Sequence, residues 1–89
     1  MGLQELLADL IAIDSTSTLS NEPVVSFIEQ YFQSSDVTCQ RLPAHEQGKF
    51  NLLLTKGEPS NEGLTLCGHM DTVPATSENW QSDPWTLSE

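Results

Sequence analysis

Basic residues are scarce in this 89-residue chain: three lysines and arginines stand against 13 acids, for a net charge of -10. That scarcity argues against nucleic acid, whose phosphates must be neutralised by Lys and Arg. It also argues against an anionic membrane surface. It names no partner by itself, since an acidic surface also serves solubility. Cysteine is nearly absent too. Cys39 and Cys67 lie far apart and form no C-x-x-C pair, and a disulfide scaffold would want more cysteines. Both read as free thiols of a reducing compartment, the cytoplasm. There is no basic stretch followed by an apolar one at the start, so no signal peptide is visible. No apolar run approaches the roughly 20 residues of a membrane span. Leu6 stands where a myristoylation motif wants Ser or Thr. Apolar residues make up a modest 37%, and a chain this short hides only about 60–65% of its unfolded surface. It ends in "DPWTLSE" with no closing helix or strand. Residues 1–89 are therefore expected to be the incomplete first part of a larger domain.

What is present is a plain order of elements. "LQELLADLIAID" places Leu3, Leu6, Leu7, Leu10 and Ile11 on one helical face. "STSTLSN" is a polar connector with capping capacity. Ser20, Asn21 and Pro23 are start signals for a second helix. Its apolar stripe is Val24, Phe27, Ile28, Tyr31 and Phe32, and Ser34, Ser35 and Asp36 end it. "VTCQRL", Val37 to Leu42, alternates as a strand does. "FNLLLT", Phe50 to Thr55, is a second strand, and turn-rich "KGEPSNEG" leads to a third, "LTLCGHMD". The fold class is α/β, with helices packed on a mixed sheet. The short 56–63 connection favours an antiparallel pairing of the second and third strands.

The end of that third strand carries the chemistry. Strand side chains alternate, so Thr65, Cys67, His69 and Asp71 share one face. Leu64 and Leu66 face the other way, toward a core. Gly68 permits a bend or a close backbone approach, and Pro74 closes the strand. A histidine and an aspartate with one residue between them fit two jobs. Both can face one metal, or the histidine binds metal while the aspartate holds its other ring nitrogen. A plain polar pair at a strand end has the same pattern.

The wider context is more specific. "GHMDTVP", then "ENWQSDPWTLSE", resembles the acetylornithine deacetylase, succinyl-diaminopimelate desuccinylase and aminoacylase family of zinc amidohydrolases and peptidases. That family carries G-H-x-D-x-V-P, a Trp, and then Asp-Pro-aromatic. "KFNLLLTKG" ahead of "GLTLCGHMDTVP" is most similar to its acetylornithine branch. The resemblance implies a zinc-peptidase-like catalytic domain of which this chain is the N-terminal portion. It implies His69 as a zinc ligand and Asp71 as the catalytic aspartate that orients it. It implies loop-shaping roles beside the site for Gly68, Pro74, Asp83 and Pro84. Trp85 stands where the family more usually has Phe. The implied cofactor is zinc, two ions per full-length site, with cobalt as a substitute. The implied substrate is a small N-acyl amino acid, N-acetylornithine above all, in arginine biosynthesis. A full-length homodimer is also implied, though nothing of a dimerisation domain is present. The family's bridging Asp, Glu-Glu pair and remaining ligands lie beyond the Asp-Pro-aromatic segment, so the chain alone is expected to be inactive.

Other residues read blandly. Cys67 is expected to be a small buried thiol, and His45 a solvated loop histidine. Glu46, Glu58 and Glu62 are loop charges, and Asn51 has no catalytic role. Trp80 and Trp85 pack down their loop. Ser15, Thr16, Ser17, Thr18 and Ser20 lack the G-x-S-x-G context of a nucleophile. Two rival functions stay open: another branch of the family (a desuccinylase, aminoacylase or dipeptidase), and a non-catalytic remnant or interaction module.

Overall fold

The computed structural model describes residues 2–58, 60, 62–76 and 80–89. Among them the class is α/β, built from two helices and two strands in the order α1 Leu3–Ala12, α2 Glu22–Tyr31, β1 Val37–Pro43 and β2 Phe50–Lys56. Each of the four elements lies where the sequence pattern puts it, within a residue or two.

Helix α1 starts without a side-chain cap at Gly2 and ends as the Ile13 N–H turns back to the Leu10 carbonyl. Its apolar stripe is largely uncovered. Leu3 is 82% exposed, and no residue of α1 is buried. Helix α2 begins with Pro23 in its first turn, where a missing N–H costs nothing. Ser20 Oγ accepts the Glu22 N–H at 3.1 Å. The core sits on α2: Val24 and Val25 are its two buried side chains. Val25, fully buried, lies outside the stripe expected from spacing, while Tyr31 of that stripe is exposed.

Strands β1 and β2 form an antiparallel hairpin, in register from Val37 opposite Lys56 to Pro43 opposite Phe50. Pro43 sits at the strand end, where its lack of an N–H is tolerated. The hairpin loop turns through Gly48 at φ +81°. Alanine and larger residues avoid that region, so glycine is the natural occupant. Arg41 of β1 joins the hairpin to α2. It pairs with Glu22 at 2.5 Å and with Glu29 at 2.7 Å, and its guanidinium lies 5.1 Å from the centre of the Phe50 ring.

Three expectations about the sheet are corrected. Among the described residues the sheet is antiparallel and two-stranded, not mixed. The second strand pairs with the first rather than the third. The "LTLCGHMD" segment forms no strand, because a strand exists only where a neighbour takes up its N–H and C=O groups. A cleft of about 790 Å³, walled by Leu52 and Leu54 of β2, lies along residues 65–71. Leu64 and Leu66, expected to face a core, are 86% and 87% exposed. Pro59 and Asn61 of the expected turn lie outside the described residues.

The chain is correspondingly open. It exposes 7330 Å², against about 5,200 Å² for a compact monomer of its mass. Its radius of gyration is 15.1 Å, against about 12 Å for a compact chain of this length.

Candidate metal centre

His69 and Asp71 are brought together as their spacing suggests. His69 Nδ1 lies 3.0 Å from Asp71 Oδ1 and 3.0 Å from the Asp71 backbone carbonyl. Both neighbours are acceptors, so Nδ1 must carry the proton and donate it. In a neutral ring the lone pair is then on Nε2, the nitrogen that points away from Asp71. This is how a carboxylate prepares a histidine as a metal ligand: it fixes the tautomer and raises the basicity of the far nitrogen. The pair is accessible, with the His69 side chain 84% exposed.

The backbone under the pair is pinned from the α1–α2 connector. The Thr72 N–H donates to the Ser15 carbonyl at 3.0 Å, and the Thr72 carbonyl accepts the Ser17 N–H at 2.9 Å. These bonds make an isolated parallel bridge between Thr16 and Thr72. Ser15 and Thr16 are the buried polar residues among those described, so "STSTLSN" is more than the polar connector expected. Asp14 Oδ1 holds the turn by accepting the Thr16 N–H at 3.1 Å and the Thr16 hydroxyl at 2.5 Å. Sequence reading passed over Asp14. The signal that marks it is an aspartate two residues before a threonine, the spacing of an Asx-turn.

The remaining expected site residues are placed as follows. Asp83 caps its own turn: Oδ1 accepts the Trp85 N–H at 3.0 Å and Oδ2 accepts the Thr86 hydroxyl at 2.9 Å. Pro84 and Trp85 follow in that turn, and both are half-buried. They join His69, Met70, Val73, Trp80 and Ile13 around an apolar cavity of about 510 Å³. Gly68 has no atom within 4 Å of where a Cβ would stand, so no described group makes the close approach a glycine permits. Pro74 is exposed. Cys67 is exposed rather than buried as expected, because the segment that carries it has no sheet neighbour. His45, Glu46, Glu58, Glu62 and Asn51 are exposed. Glu78 and Asn79 of the "ENW" stretch lie outside the described residues.

Among the described residues, no three His, Cys, Asp or Glu side chains converge on one point. A zinc site takes three or four protein ligands. His69, through Nε2, has the chemistry of one such donor, and among the described residues no others gather around it.

No protein-family model matches the chain, and no solved structure matches it. Curated relatives do. The acetylornithine deacetylase of Proteus mirabilis is 39% identical over 79 residues, covering 88% of this chain and 20% of that protein. The acetylornithine deacetylase of Photorhabdus laumondii is 38% identical over 92 residues, covering 96% of this chain and 24% of its own. That of Yersinia pestis is 37% identical over 83 residues, covering 88% and 21%. The chain thus spans about a fifth of the length of the relatives it matches. At 37–39% identity over most of its length, the chain matches a fragment of the acetylornithine deacetylase family.

Proposed function

We propose that this chain supplies one corner of the active site of a zinc-dependent amidohydrolase. That enzyme would remove the acetyl group from N-acetylornithine, giving ornithine and acetate for arginine biosynthesis. The observation that carries the reading is the His69–Asp71 hydrogen bond at 3.0 Å, in a chain 37–39% identical to acetylornithine deacetylases.

His69 would hold one zinc through Nε2, with Asp71 keeping the ring oriented and electron-rich. Zinc at such a site lowers the pKa of a bound water and polarises the scissile carbonyl. In this reading Asp71 acts through the imidazole, its Oδ1 accepting from Nδ1. Asp83 and Pro84 hold the turn that walls the neighbouring apolar cavity, and Gly68 and Pro74 flank the pair in sequence. A second zinc, the further ligands and the general base would come from residues that this chain does not supply, so the chain alone would be inactive. Homodimeric assembly and a cytoplasmic location belong to the same reading. The free thiols of Cys39 and Cys67 suit a reducing compartment.

The test is hydrolysis by the whole protein that the reading frame encodes, with zinc or cobalt supplied. N-acetylornithine should be turned over faster than N-succinyl-diaminopimelate or an N-acyl amino acid with an apolar side chain, and His69→Ala should abolish the activity. A preference for either competitor would move the protein to another branch. Absence of any hydrolysis would make the segment a non-catalytic remnant.

A further inference from the structure

We infer that Asp14, some 55 residues upstream in sequence, is a positioning residue for the His69–Asp71 pair. It would act through a continuous chain of hydrogen bonds that crosses two peptide groups, Ser15–Thr16 and Asp71–Thr72.

The links can be followed atom by atom. His69 Nδ1–H donates to the Asp71 carbonyl at 3.0 Å. That carbonyl belongs to the peptide joining Asp71 to Thr72. The N–H of the same peptide donates to the Ser15 carbonyl at 3.0 Å. One peptide plane is therefore held at both ends, by the imidazole on one side and by the α1–α2 connector on the other. Bonds in series through a peptide polarise one another, so the Ser15 contact strengthens the acceptor that His69 uses. The Thr72 carbonyl takes the Ser17 N–H at 2.9 Å, which prevents the next peptide from swinging.

The connector could serve as an anchor only if it were fixed, and Asp14 fixes it. Its Oδ1 takes both the N–H and the hydroxyl of Thr16. Thr16 is the bridge residue itself, between Ser15 and Ser17, which make the two bonds to Thr72, and it is buried. Lys49 Nζ fastens the far side of the connector by donating to the Ser17 carbonyl at 2.7 Å and to the Leu19 carbonyl. The pair itself has little other support, being exposed and borne on a segment with no sheet neighbour. Its geometry depends on the bridge, and the bridge depends on Asp14. The inference rests on the zinc reading only for its consequence, not for the contacts.

The experiment uses the whole protein that the reading frame encodes, with Asp14→Ala, Asp14→Asn and Thr16→Val. Amide hydrogen exchange without metal is followed at Thr72 and Ser17, with β1–β2 as an internal reference, and zinc affinity is measured by chelator competition. Asp14→Ala should speed exchange at Thr72 and Ser17 by about tenfold or more while the hairpin is unchanged, as for a local rather than a global opening. It should weaken zinc binding about 10-fold, the lower end of losses seen when a ligand's orienting partner is disturbed. Asp14→Asn, which keeps the accepting oxygen, should behave as the wild type. If Asp14→Ala does not fold, Thr16→Val should show the same changes in smaller degree, since it removes only the hydroxyl contact. Unchanged Thr72 exchange in Asp14→Ala overturns the inference, and in Thr16→Val does so where Asp14→Ala cannot be read. Equal acceleration of Thr72 and the hairpin also overturns it, since Asp14 would then act on stability alone. Asp14-dependent exchange in a wild type that binds no zinc supports the positioning role and overturns the zinc reading.

Discussion

Asn21 stands beside Phe50 as the peptide of a neighbouring strand would. Its side-chain Nδ2 donates to the Phe50 carbonyl at 2.8 Å, and its Oδ1 accepts the Phe50 N–H at 2.9 Å. The residue just before α2 thus takes both backbone valences at the start of β2. Asn21→Ala leaves the two groups without a protein partner in a part-buried site. The expected cost is about 1–3 kcal/mol. Asn21→Asp, which keeps the acceptor and loses the donor, should fall between. Urea unfolding of the two variants measures this; a loss of only a few tenths would show that water replaces the amide.

The four regular elements were legible because each carries a local signal: a period of 3.6 in α1 and α2, alternation in β1 and a short apolar run in β2. What the sequence did not show is what depends on a partner. "LTLCGHMD" has a strand's alternation, yet alternation describes how a strand would bury its faces, not whether a neighbour is there to pair with it. Leu64 and Leu66 read as core and are exposed for that reason. The His69–Asp71 contact was legible because it needs only two residues and local backbone. Asp14, Ser15 and Thr16 were not, since the bridge to Thr72 joins segments far apart in the chain.

Glu22 gives a pH prediction. Its carboxyl is held below the ordinary 4.5, first by the hydrogen bond from Arg41 and then by that from Ser26. The Arg41 guanidinium is shifted upward by Glu29 and Glu22, so it stays charged at every pH of interest. A carboxyl whose folded pKa is lowered contributes stability that is complete above its unfolded value. That contribution is lost as pH falls from there through the lowered value. The melting-temperature gap between wild type and Arg41→Met should therefore be constant near neutrality and narrow below about pH 4.5. Arg41→Lys should resemble the methionine variant more than the wild type, because an ammonium cannot make the forked contacts to Glu22 and Glu29. A gap that stays constant through acid would show that Arg41 acts by packing alone.

Two glycines separate backbone strain from crowding. Gly48 has φ +81° and Gly57 has φ +86°. A Cβ on Gly48 would meet Ser20 Cβ at 3.4 Å, whereas one on Gly57 would meet nothing within 4 Å. Alanine in this region costs about 1–2 kcal/mol from backbone sterics alone. Gly57→Ala should show that cost unmixed. Gly48→Ala should equal or exceed it, because the Ser20 hydroxyl it approaches also donates to the Gly48 carbonyl. Thermal or urea unfolding of each variant decides it; a harmless Gly57→Ala would show that its turn relaxes to negative φ.

Asp71 is the residue whose role is most open to direct trial. If His69 binds zinc through Nε2 and Asp71 only holds Nδ1, the two should fail differently when changed in the whole protein. His69→Ala removes the ligand itself, so one zinc position should empty or bind very weakly. Asp71→Asn keeps an oxygen that can still accept the Nδ1–H, and the tautomer survives. It loses the negative charge that makes Nε2 a stronger donor to the metal. Losses of this kind typically cost about 10–100-fold in affinity or activity. At saturating zinc, Asp71→Asn should therefore retain near-normal metal content with a lowered kcat and little change in KM. Asp71→Ala should be worse than Asp71→Asn, since it also frees the imidazole to rotate. Zinc content by mass spectrometry beside steady-state kinetics separates the cases. Asp71→Asn that loses zinc as completely as His69→Ala would make Asp71 a ligand, through Oδ2 or through an Oδ1 released from its 3.0 Å contact with Nδ1. If neither change touches metal or rate, the pair is a structural contact and the zinc assignment of His69 falls with it.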